Sequence, residues 1–332
     1  MRIAEVNDVA SVATELSAAL RACGNDVRLI HPRLVGAALP TAVKPLVAPM
    51  RAWEWLSIAR EIRSGHFDAV HIHYAYLGMI GVLGRFPYLL HCHGDDIRDL
   101  DRAIRRPFIE AAMKRAGFVY YATPDLRDRV LALRPDAEFL PNPVDTARFH
   151  PQPLPDHGPD VFIACSLTEN KGIANILDAC RLLAEVRPDI RITAYAGGEY
   201  TSAFDALPQV TLITRQSREK FAATIACHRV SIGQTHEGAI GMAELEAMAC
   251  ARPVVAHFIY DDFYSEPPPI VRAHTGDEIA AAVRRCLDDP SQAEATGALA
   301  RQWIERHHDS RTIAARVLAR LTAIAGPGTE RA

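Results

Sequence analysis

The sequence lacks several features at once, and each absence narrows the field. Its 332 residues contain no C-x-x-C pair, and the seven cysteines (Cys23, Cys92, Cys165, Cys180, Cys227, Cys250 and Cys286) are odd in number and scattered. This excludes a zinc ribbon, argues against a disulfide framework and predicts a reducing, cytoplasmic location. Nowhere does an apolar run approach the roughly 18 residues that a membrane span needs. The opening Arg2-Ile-Ala-Glu-Val6 reads as a strand rather than a basic segment leading into an apolar one, so no signal peptide is expected. Short repeats and low-complexity tracts are missing too. Neither sign of charge dominates: 37 Lys and Arg against 40 Asp and Glu leave a net charge of -3, so no global field recruits nucleic acid or an anionic membrane.

What is present is the composition of a soluble globular enzyme, 49% hydrophobic and 23% charged, at a length that allows two α/β domains. Short β-rich runs alternate with helix-patterned ones. Strands are predicted at Ile3–Val6, Asp26–Ile30, Ala69–Ile72, Tyr88–Cys92, Phe118–Ala122 and Glu138–Leu140, with helices at Val9–Ala22, Arg51–Arg63, Ala103–Arg115 and Pro124–Leu133. Such alternation implies a parallel sheet covered by helices, because a parallel crossover needs a connection of helix length. The pattern then breaks at His150–Pro159, where four prolines and a glycine in ten residues predict a linker. It restarts with strands at Val161–Ala164, Arg191–Tyr195, Val230–Gly233 and Pro253–Ala256. Helices are predicted at Gly172–Val186, Ser217–Cys227, Ile240–Cys250, Gly276–Leu287, Ser291–His307 and Ser310–Ala325. Two doubly wound domains are therefore expected, each binding ligands outside the carboxyl ends of its strands.

The segment Ile232–Cys250 is a strand end, a loop punctuated by Gly238 and Gly241, and a helix. Glycines let a backbone approach a ligand, and the first turn of a helix offers unpaired N–H groups suited to a diphosphate. Glu246, about a turn and a half into the helix, could accept two ribose hydroxyls. The alternative is an ordinary amphipathic helix after a turn, with Glu244 and Glu246 solvated. The stretch from Glu237 to Val255 resembles the C-terminal signature of the family 4 glycosyltransferases, E-G-F-G-x-x-x-L-E-A-M-A-x-G-x-P-V-V. The resemblance implies the GT-B fold, two Rossmann-like domains facing a central cleft. It assigns the nucleotide ribose to Glu246 and the diphosphate to the amides of Gly241, Met242 and Ala243. In the family seven residues separate the two glutamates; counting back from Glu246 puts Gly238 in the first position, so Glu237 is displaced by one. Either Glu237 reaches the transferred sugar from a bulged loop or that contact is rewired.

The resemblance covers nearly the whole chain. Leu140-Pro-Asn-Pro-Val-Asp-Thr-Ala-Arg-Phe149 is similar to P-N-G-V-D-x-x-x-F at the end of the first domain; read alone, it is a turn held by two prolines, with Asn142 a cleft candidate. Lys171-Gly172 resembles the phosphate-binding R-x-x-x-x-K-G, with Ser166 where the arginine stands, so half of the positive clamp is replaced. Leu90–Arg98 resembles an H-G-x-D-x-R loop, in which His93 would face the donor sugar, with Asp95 beside it. Asn7 and Asp8, after the first strand, fill the place of the acceptor-side loop but lack the glycine pair of many relatives. Arg301–Asp309 resembles the closing segment after which the last helix returns to the first domain. The expected division is therefore 1–152 with the helix at about 310–325 as the acceptor-side domain, and 160–309 as the nucleotide-sugar domain.

Two further features carry their own chemistry. His71-Ile-His73 and His91-Cys-His93 are H-x-H pairs, and i, i+2 on a strand turns both rings to one face. Four such rings could hold zinc, with Asp95 and Asp96 as candidate acidic ligands, but a hydrolase site wants such ligands from several strands and nothing comparable appears elsewhere, so hydrogen-bonded strand-end histidines are expected instead. The basic set Arg98, Arg102, Arg105, Arg106, Lys114 and Arg115 could meet an anionic membrane or a phosphorylated acceptor. A solvated face interleaved with Asp99, Asp101 and Glu110 is the expectation.

What the resemblance implies is a retaining transfer of a sugar from a nucleotide sugar, such as a UDP-sugar, to an acceptor hydroxyl. The route is front-face, with His93, Lys171 and Glu237 as catalytic candidates and no metal or other cofactor. Donor contacts fall to Ser166, Lys171, Gly238, Gly241, Met242, Ala243 and Glu246; the acceptor, whether sugar, lipid-linked or a small metabolite, meets Asn7, Asp8, Asp95 and Asn142. Peripheral membrane contact is compatible with this reading. Two alternatives stay open: a sugar-nucleotide-binding protein without turnover, and a metal-dependent hydrolase built on the H-x-H pairs.

Overall fold

The computed structural model describes residues 1–326 apart from 35–38, 40–42, 44–45, 101–104 and 156–157. The chain divides into two compact units, Met1–Pro143 with Ser310–Ala332, and Val144–Asp309.

The first unit is built on six parallel strands, β1 (Arg2–Val6), β2 (Asp26–Ile30), β3 (Ala69–His73), β4 (Leu89–Cys92), β5 (Phe118–Tyr121) and β6 (Glu138–Phe139), in the order β2-β1-β3-β4-β5-β6. Between them run α1 (Val12–Ala22), α2 (Ala48–Ser64), α3 (Met79–Gly84), α4 (Asp95–Arg98), α5 (Arg106–Arg115) and α6 (Arg127–Leu133). Strands covered on both faces should be apolar throughout, and β3, β4 and β5 are buried at every position. That makes the histidines of β3 and β4 the anomaly of this sheet. Helix α1 starts at Val12 rather than Val9 because Asn7, Ala10 and Ser11 all have positive φ, which no helix accommodates. Helices α2 and α5 each carry a proline in the first turn, where its missing N–H costs nothing. The predicted start of α5 at Ala103, together with Asp101 and Arg102, lies outside the described residues.

The second unit repeats the plan with β7 (Val161–Ile163), β8 (Ile192–Tyr195), β9 (Val210–Ile213), β10 (Val230–Ile232), β11 (Val254–Ala256) and β12 (Val271–Arg272), ordered β12-β11-β10-β7-β8-β9 and parallel throughout. Its helices are α7 (Ile173–Val186), α8 (Thr201–Asp205), α9 (Arg218–Ala226), α10 (Met242–Ala249), α11 (Gly276–Asp288) and α12 (Pro290–His307). Thr275 and Glu278 close a reciprocal capping box at the start of α11, a device worth about 1 kcal/mol. The edge strands β9 and β12 were not expected from the sequence; β12 is two residues long, and both have only one neighbour.

The last helix, α13 (Ser310–Ala325), packs on α1 and β3 of the first unit through buried Ile313, Ala314, Val317 and Leu321. Arg316 donates to Phe139 O at 3.0 Å, and Arg320 lies 3.8 Å over the Phe118 ring while pairing with Glu138. The other boundary falls ahead of the proline-rich run, between Pro143 and Val144. Val144 N donates to His308 O at 2.8 Å, Thr146 to Asp309 at 2.6 Å, and Arg301 reaches the carbonyls of Thr146 and Phe149. Buried Arg252 then donates to Gln152 O, Pro153 O and Ala226 O at 2.7 to 3.0 Å. Backbone carbonyls that sequence composition reads as loose are thus satisfied by two arginines of the second unit.

Candidate active site

In the second unit β7 lies between β10 and β8, so the loops after β7 and β10 flank the point where the strand order reverses. These are the loops that carry Ser166, Lys171 and Glu237–Gly241, and they are stitched together. Thr235 N donates to Lys171 O at 2.9 Å and Thr235 Oγ1 to Gly172 O at 3.0 Å. Gly172 has φ +71°, and a Cβ there would stand 2.3 Å from Thr235 Oγ1. Lys171 Nζ donates to Gln234 Oε1 at 3.2 Å. Gln234 is buried and central: its N–H donates to Glu244 Oε1 at 2.7 Å, and its Nε2 to Ala239 O at 2.5 Å. The sequence gives little sign of it beyond a polar residue just past a strand end.

Glu244 and Glu246 are both buried, which removes the reading of a solvated amphipathic face. Glu244 sits beneath the loop. A Cβ at Gly233 would lie 2.3 Å from its Cγ, and one at Gly241 2.8 Å from its Oε2. Gly241 therefore makes room for a protein carboxylate, where the sequence suggested room for a ligand. Gly238, at φ +67°, packs on Ile259, 2.8 Å from where a Cβ would be. The position at which relatives carry their first glutamate is left-handed here, so glycine suits it and a glutamate would be strained. Glu237, half-buried, precedes it. Glu246 accepts from Arg218, whose guanidinium lies 4.9 Å over the Phe149 ring and 5.9 Å over Phe221. Gly241 precedes Met242 and Ala243 at the start of α10 with no side-chain cap. Ser166 is exposed, donating to Thr168 Oγ1 at 3.0 Å, which donates in turn to Asn170 at 2.7 Å.

In the first unit the strand order reverses between β1 and β3. Asn7 Nδ2 donates to His73 O at 3.3 Å across that point. Asp8 accepts from Ala13 N, Thr14 N and Thr14 Oγ1 at 2.6 to 3.4 Å, so its carboxylate holds the start of α1. Asp95 is exposed and pairs with Arg98 at 3.4 Å. Its neighbour Asp96, a sequence candidate only as an acidic metal ligand, is the buried one. It accepts from the backbone N–H of Ala75, His93 and Gly94 at 2.7 to 3.3 Å and so shapes the His93 loop. Asn142 is buried. Of the basic set, Arg98 pairs with Asp125 at 2.7 Å and Arg106 with Glu110 at 2.7 Å; Arg102 lies outside the described residues.

The H-x-H pairs come together on one face with Glu5, which sits opposite His71 on β1, as His91 sits opposite His73. Glu5 Oε2 lies 2.7 Å from His73 Nε2 and 3.0 Å from His71 Nδ1, and His73 Nδ1 lies 2.8 Å from His93 Nε2. His71, His73 and His91 offer ring nitrogens within 4.8 Å of one another and are the histidines that could hold a metal ion among the described residues. His71 Nε2 and both His91 nitrogens are buried without a hydrogen-bond partner.

Burial raises the Glu5 carboxyl, but the charge of His71 and the hydrogen bonds of His71 and His73 outweigh it and hold the group at about 2. Burial first, then neighbouring imidazoles, pushes His73, His91 and His93 below the ordinary range. An unfolded chain therefore takes up protons at these rings that the folded chain refuses. Their contribution to stability is present above about pH 6.5 and is lost as pH falls, by up to about 1.4 kcal/mol per pH unit for each ring that stays neutral. Urea unfolding at pH 7.5 and 5.5 is expected to show this slope; equal midpoints would mean that the rings are charged in the fold.

Two cavities stand out. One of about 410 Å³ in the first unit is lined by Asn7, Asp8, Arg51, Tyr74, Tyr76 and Arg105, among others. A larger one of about 670 Å³ in the second unit, between Arg148, Glu219 and Cys227, contains none of the candidate residues.

Comparison with known proteins matches residues 9–148 to the model of Glycosyltransferase Family 4 and residues 176–319 to that of the glycosyl transferase-like family. The chain is 26% identical over 293 residues to the alpha-maltose-1-phosphate synthase of Mycolicibacterium smegmatis, covering 70% of this chain and 73% of that one. It is 25% identical over 363 residues to the phosphatidyl-myo-inositol mannosyltransferase of the same organism, covering 96% and 91%. In fold it is similar to Anabaena Alr3699/HepE in complex with UDP-glucose, with a TM-score of 0.72 at 15% identity over 97% of this chain and all of that one. With a glycosyltransferase model matched on each half, that of Glycosyltransferase Family 4 on the first, and the GT-B fold shared along the chain, the protein is a GT-B glycosyltransferase.

Proposed function

We propose that the protein is a retaining glycosyltransferase that moves a sugar from a nucleoside-diphosphate sugar, UDP-linked in the first instance, to an acceptor hydroxyl. The observation that carries this reading is the stitched pair of loops at the β7/β10 switch point. There one basic side chain, Lys171, lies on one of the joined loops, the other leads into the uncapped start of α10, and α10 carries a buried carboxylate, Glu246, paired with Arg218. A diphosphate needs positive charge and free N–H groups; a ribose needs an acceptor for two hydroxyls. The UDP-glucose bound to Anabaena HepE supports the choice of base.

In this reading the second unit holds the donor and the first the acceptor, with the cavity beside Asn7 as its place. The bond from the anomeric carbon to the diphosphate oxygen breaks while one to the acceptor oxygen forms on the same face. The acceptor proton passes to the leaving diphosphate, whose charge Lys171 and the amides of Gly241, Met242 and Ala243 stabilise. No metal is needed for that step. His93 acts on the sugar being transferred, and Glu237 supplies the contact displaced from position 238. All seven cysteines are unpaired, in keeping with a cytoplasmic site, and no helix among the described residues is long and apolar enough to cross a membrane.

The test is Glu246→Ala. Losing a charged acceptor for two hydroxyls is expected to weaken UDP binding by roughly 10- to 100-fold in calorimetry. Unchanged affinity would mean that this carboxylate does not hold the ribose. A second reading, binding without turnover, is favoured by Ser166 in place of an arginine. Tight UDP binding with neither donor hydrolysis nor transfer would establish it. Glu237→Ala is expected to change the ranking of donor sugars in the same assay, and an unaltered ranking would show that the sugar contact is rewired.

A further inference from the structure

The side chains of Glu5, His71 and His73, with His93 after β4, form a row in which an ionised Glu5 fixes the direction of proton donation. One oxygen of Glu5 stands 2.7 Å from His73 Nε2 and 3.0 Å from His71 Nδ1. An ionised carboxylate can only accept, so both nitrogens carry hydrogen. His73 is fully buried, and in its neutral form a proton on Nε2 leaves Nδ1 bare. That bare nitrogen is 2.8 Å from His93 Nε2, which must then donate. A neutral His93 with hydrogen on Nε2 presents a bare Nδ1.

We propose that Glu5 and His73 are positioning residues that lock His93 in the Nε2–H form, so that its Nδ1 is a hydrogen-bond acceptor. The partner it recognises is a substrate hydroxyl. The proposal rests on the reading of His93 as a sugar-facing residue, and it changes what that residue does. A bare ring nitrogen accepts from an O–H and faces developing positive charge favourably; it repels a phosphate oxygen. A carboxylate oriented against an imidazole sets the tautomer in the same way wherever the pair occurs.

The same cluster could be read as a metal site, and the geometry disfavours it. Both ring nitrogens of His73, a member of the metal-capable set with His71 and His91, already lie at hydrogen-bond distance from other groups, Nε2 at 2.7 Å from Glu5 and Nδ1 at 2.8 Å from His93 Nε2, which leaves neither for an ion. The His71 and His91 rings lie 14° from parallel with centroids 5.6 Å apart, and His91 lies 4.2 Å from His93 at a tilt of 35°, so His91 packs against the row without a hydrogen bond to it.

Histidine-selective ¹⁵N labelling of the full chain tests this through long-range ¹H–¹⁵N couplings at neutral pH. His93 is expected to show a protonated Nε2 and a bare Nδ1. In His73→Phe, which keeps a ring but no acceptor, His93 is expected to become a tautomer mixture, and kcat to fall roughly tenfold with the donor KM within twofold. His73→Gln, whose amide oxygen can accept from Nε2–H, is expected to restore most of both. A wild-type His93 protonated on Nδ1 would overturn the proposal, whatever the variants do. So would one equivalent of a transition metal in elemental analysis of the purified protein. The tautomer is read without turnover, so failure of the transferase reading, seen at Glu246, remains distinguishable from failure of the relay.

Discussion

Lys171→Ala is expected to lower kcat by about 10²- to 10³-fold, the range seen when a single preorganised group facing developing charge is removed. The leaving diphosphate gains charge as the glycosidic bond breaks, and a lysine at a βα turn meets it as a point charge. Position 166, which relatives use for a second cation, is a serine whose hydroxyl is spent on Thr168. More of the stabilisation therefore falls on one side chain. The effect on folding should be small, because in the free protein Nζ makes one part-buried hydrogen bond, to Gln234 Oε1 at 3.2 Å. A bond of that kind contributes about 1 kcal/mol. Thermal unfolding beside steady-state kinetics separates the two effects. Activity within threefold of wild type would remove Lys171 from the chemistry. Lys171→Arg should restore little, since a planar fork does not occupy the place of a compact ammonium.

Glu244→Ala should act through the fold. The Glu244 carboxylate accepts from Gln234 N, and Gly233 and Gly241 leave space for it. Removing it leaves a buried N–H without a partner, at a cost of about 1–3 kcal/mol, and opens a void below the loop that adds to this. Gln234 would also lose the restraint that aims its amide at Lys171. We expect a loss of about 2–4 kcal/mol in urea unfolding, together with weaker UDP binding and turnover. Glu246→Ala, two residues along α10, should lose binding and also deprive Arg218 of its ion-pair partner, so UDP affinity is to be compared with stability in the same variant. If Glu244→Ala unfolds like wild type, the loop is held by something other than this carboxylate.

Much of the architecture was legible in the sequence, and particular residues show why. Strands such as Phe118–Tyr121 are buried on both faces, so they read as continuous apolar runs between helix-patterned stretches. Strands β9 and β12 were not legible: β12 is two residues long, and β9, though mostly apolar, is only partly buried and too short to stand out between helix-patterned runs. The proline-rich run suggested the domain boundary, but the chain divides at Pro143/Val144 because Arg252 and Arg301 gather the following carbonyls. No local pattern in a sequence announces a partner about 100 to 150 residues away.

The candidate site divides in the same way. Sequence alone determined the family, the loop before α10, and the displacement of Glu237 from the glutamate position of its relatives. Those features are strings of adjacent residues. Only the tertiary structure decided that Gly238 is left-handed, that Glu244 accepts from Gln234 N while Glu246 pairs with Arg218, and that Gln234 links Lys171 to the loop. It alone decided that the H-x-H pairs join Glu5, 66 residues away in the chain, in one buried row. The physical reason is that burial and hydrogen-bond partnership arise between strands and loops remote in sequence. A carboxylate at Glu5 becomes the anchor of His73 only when β1 and β3 lie side by side.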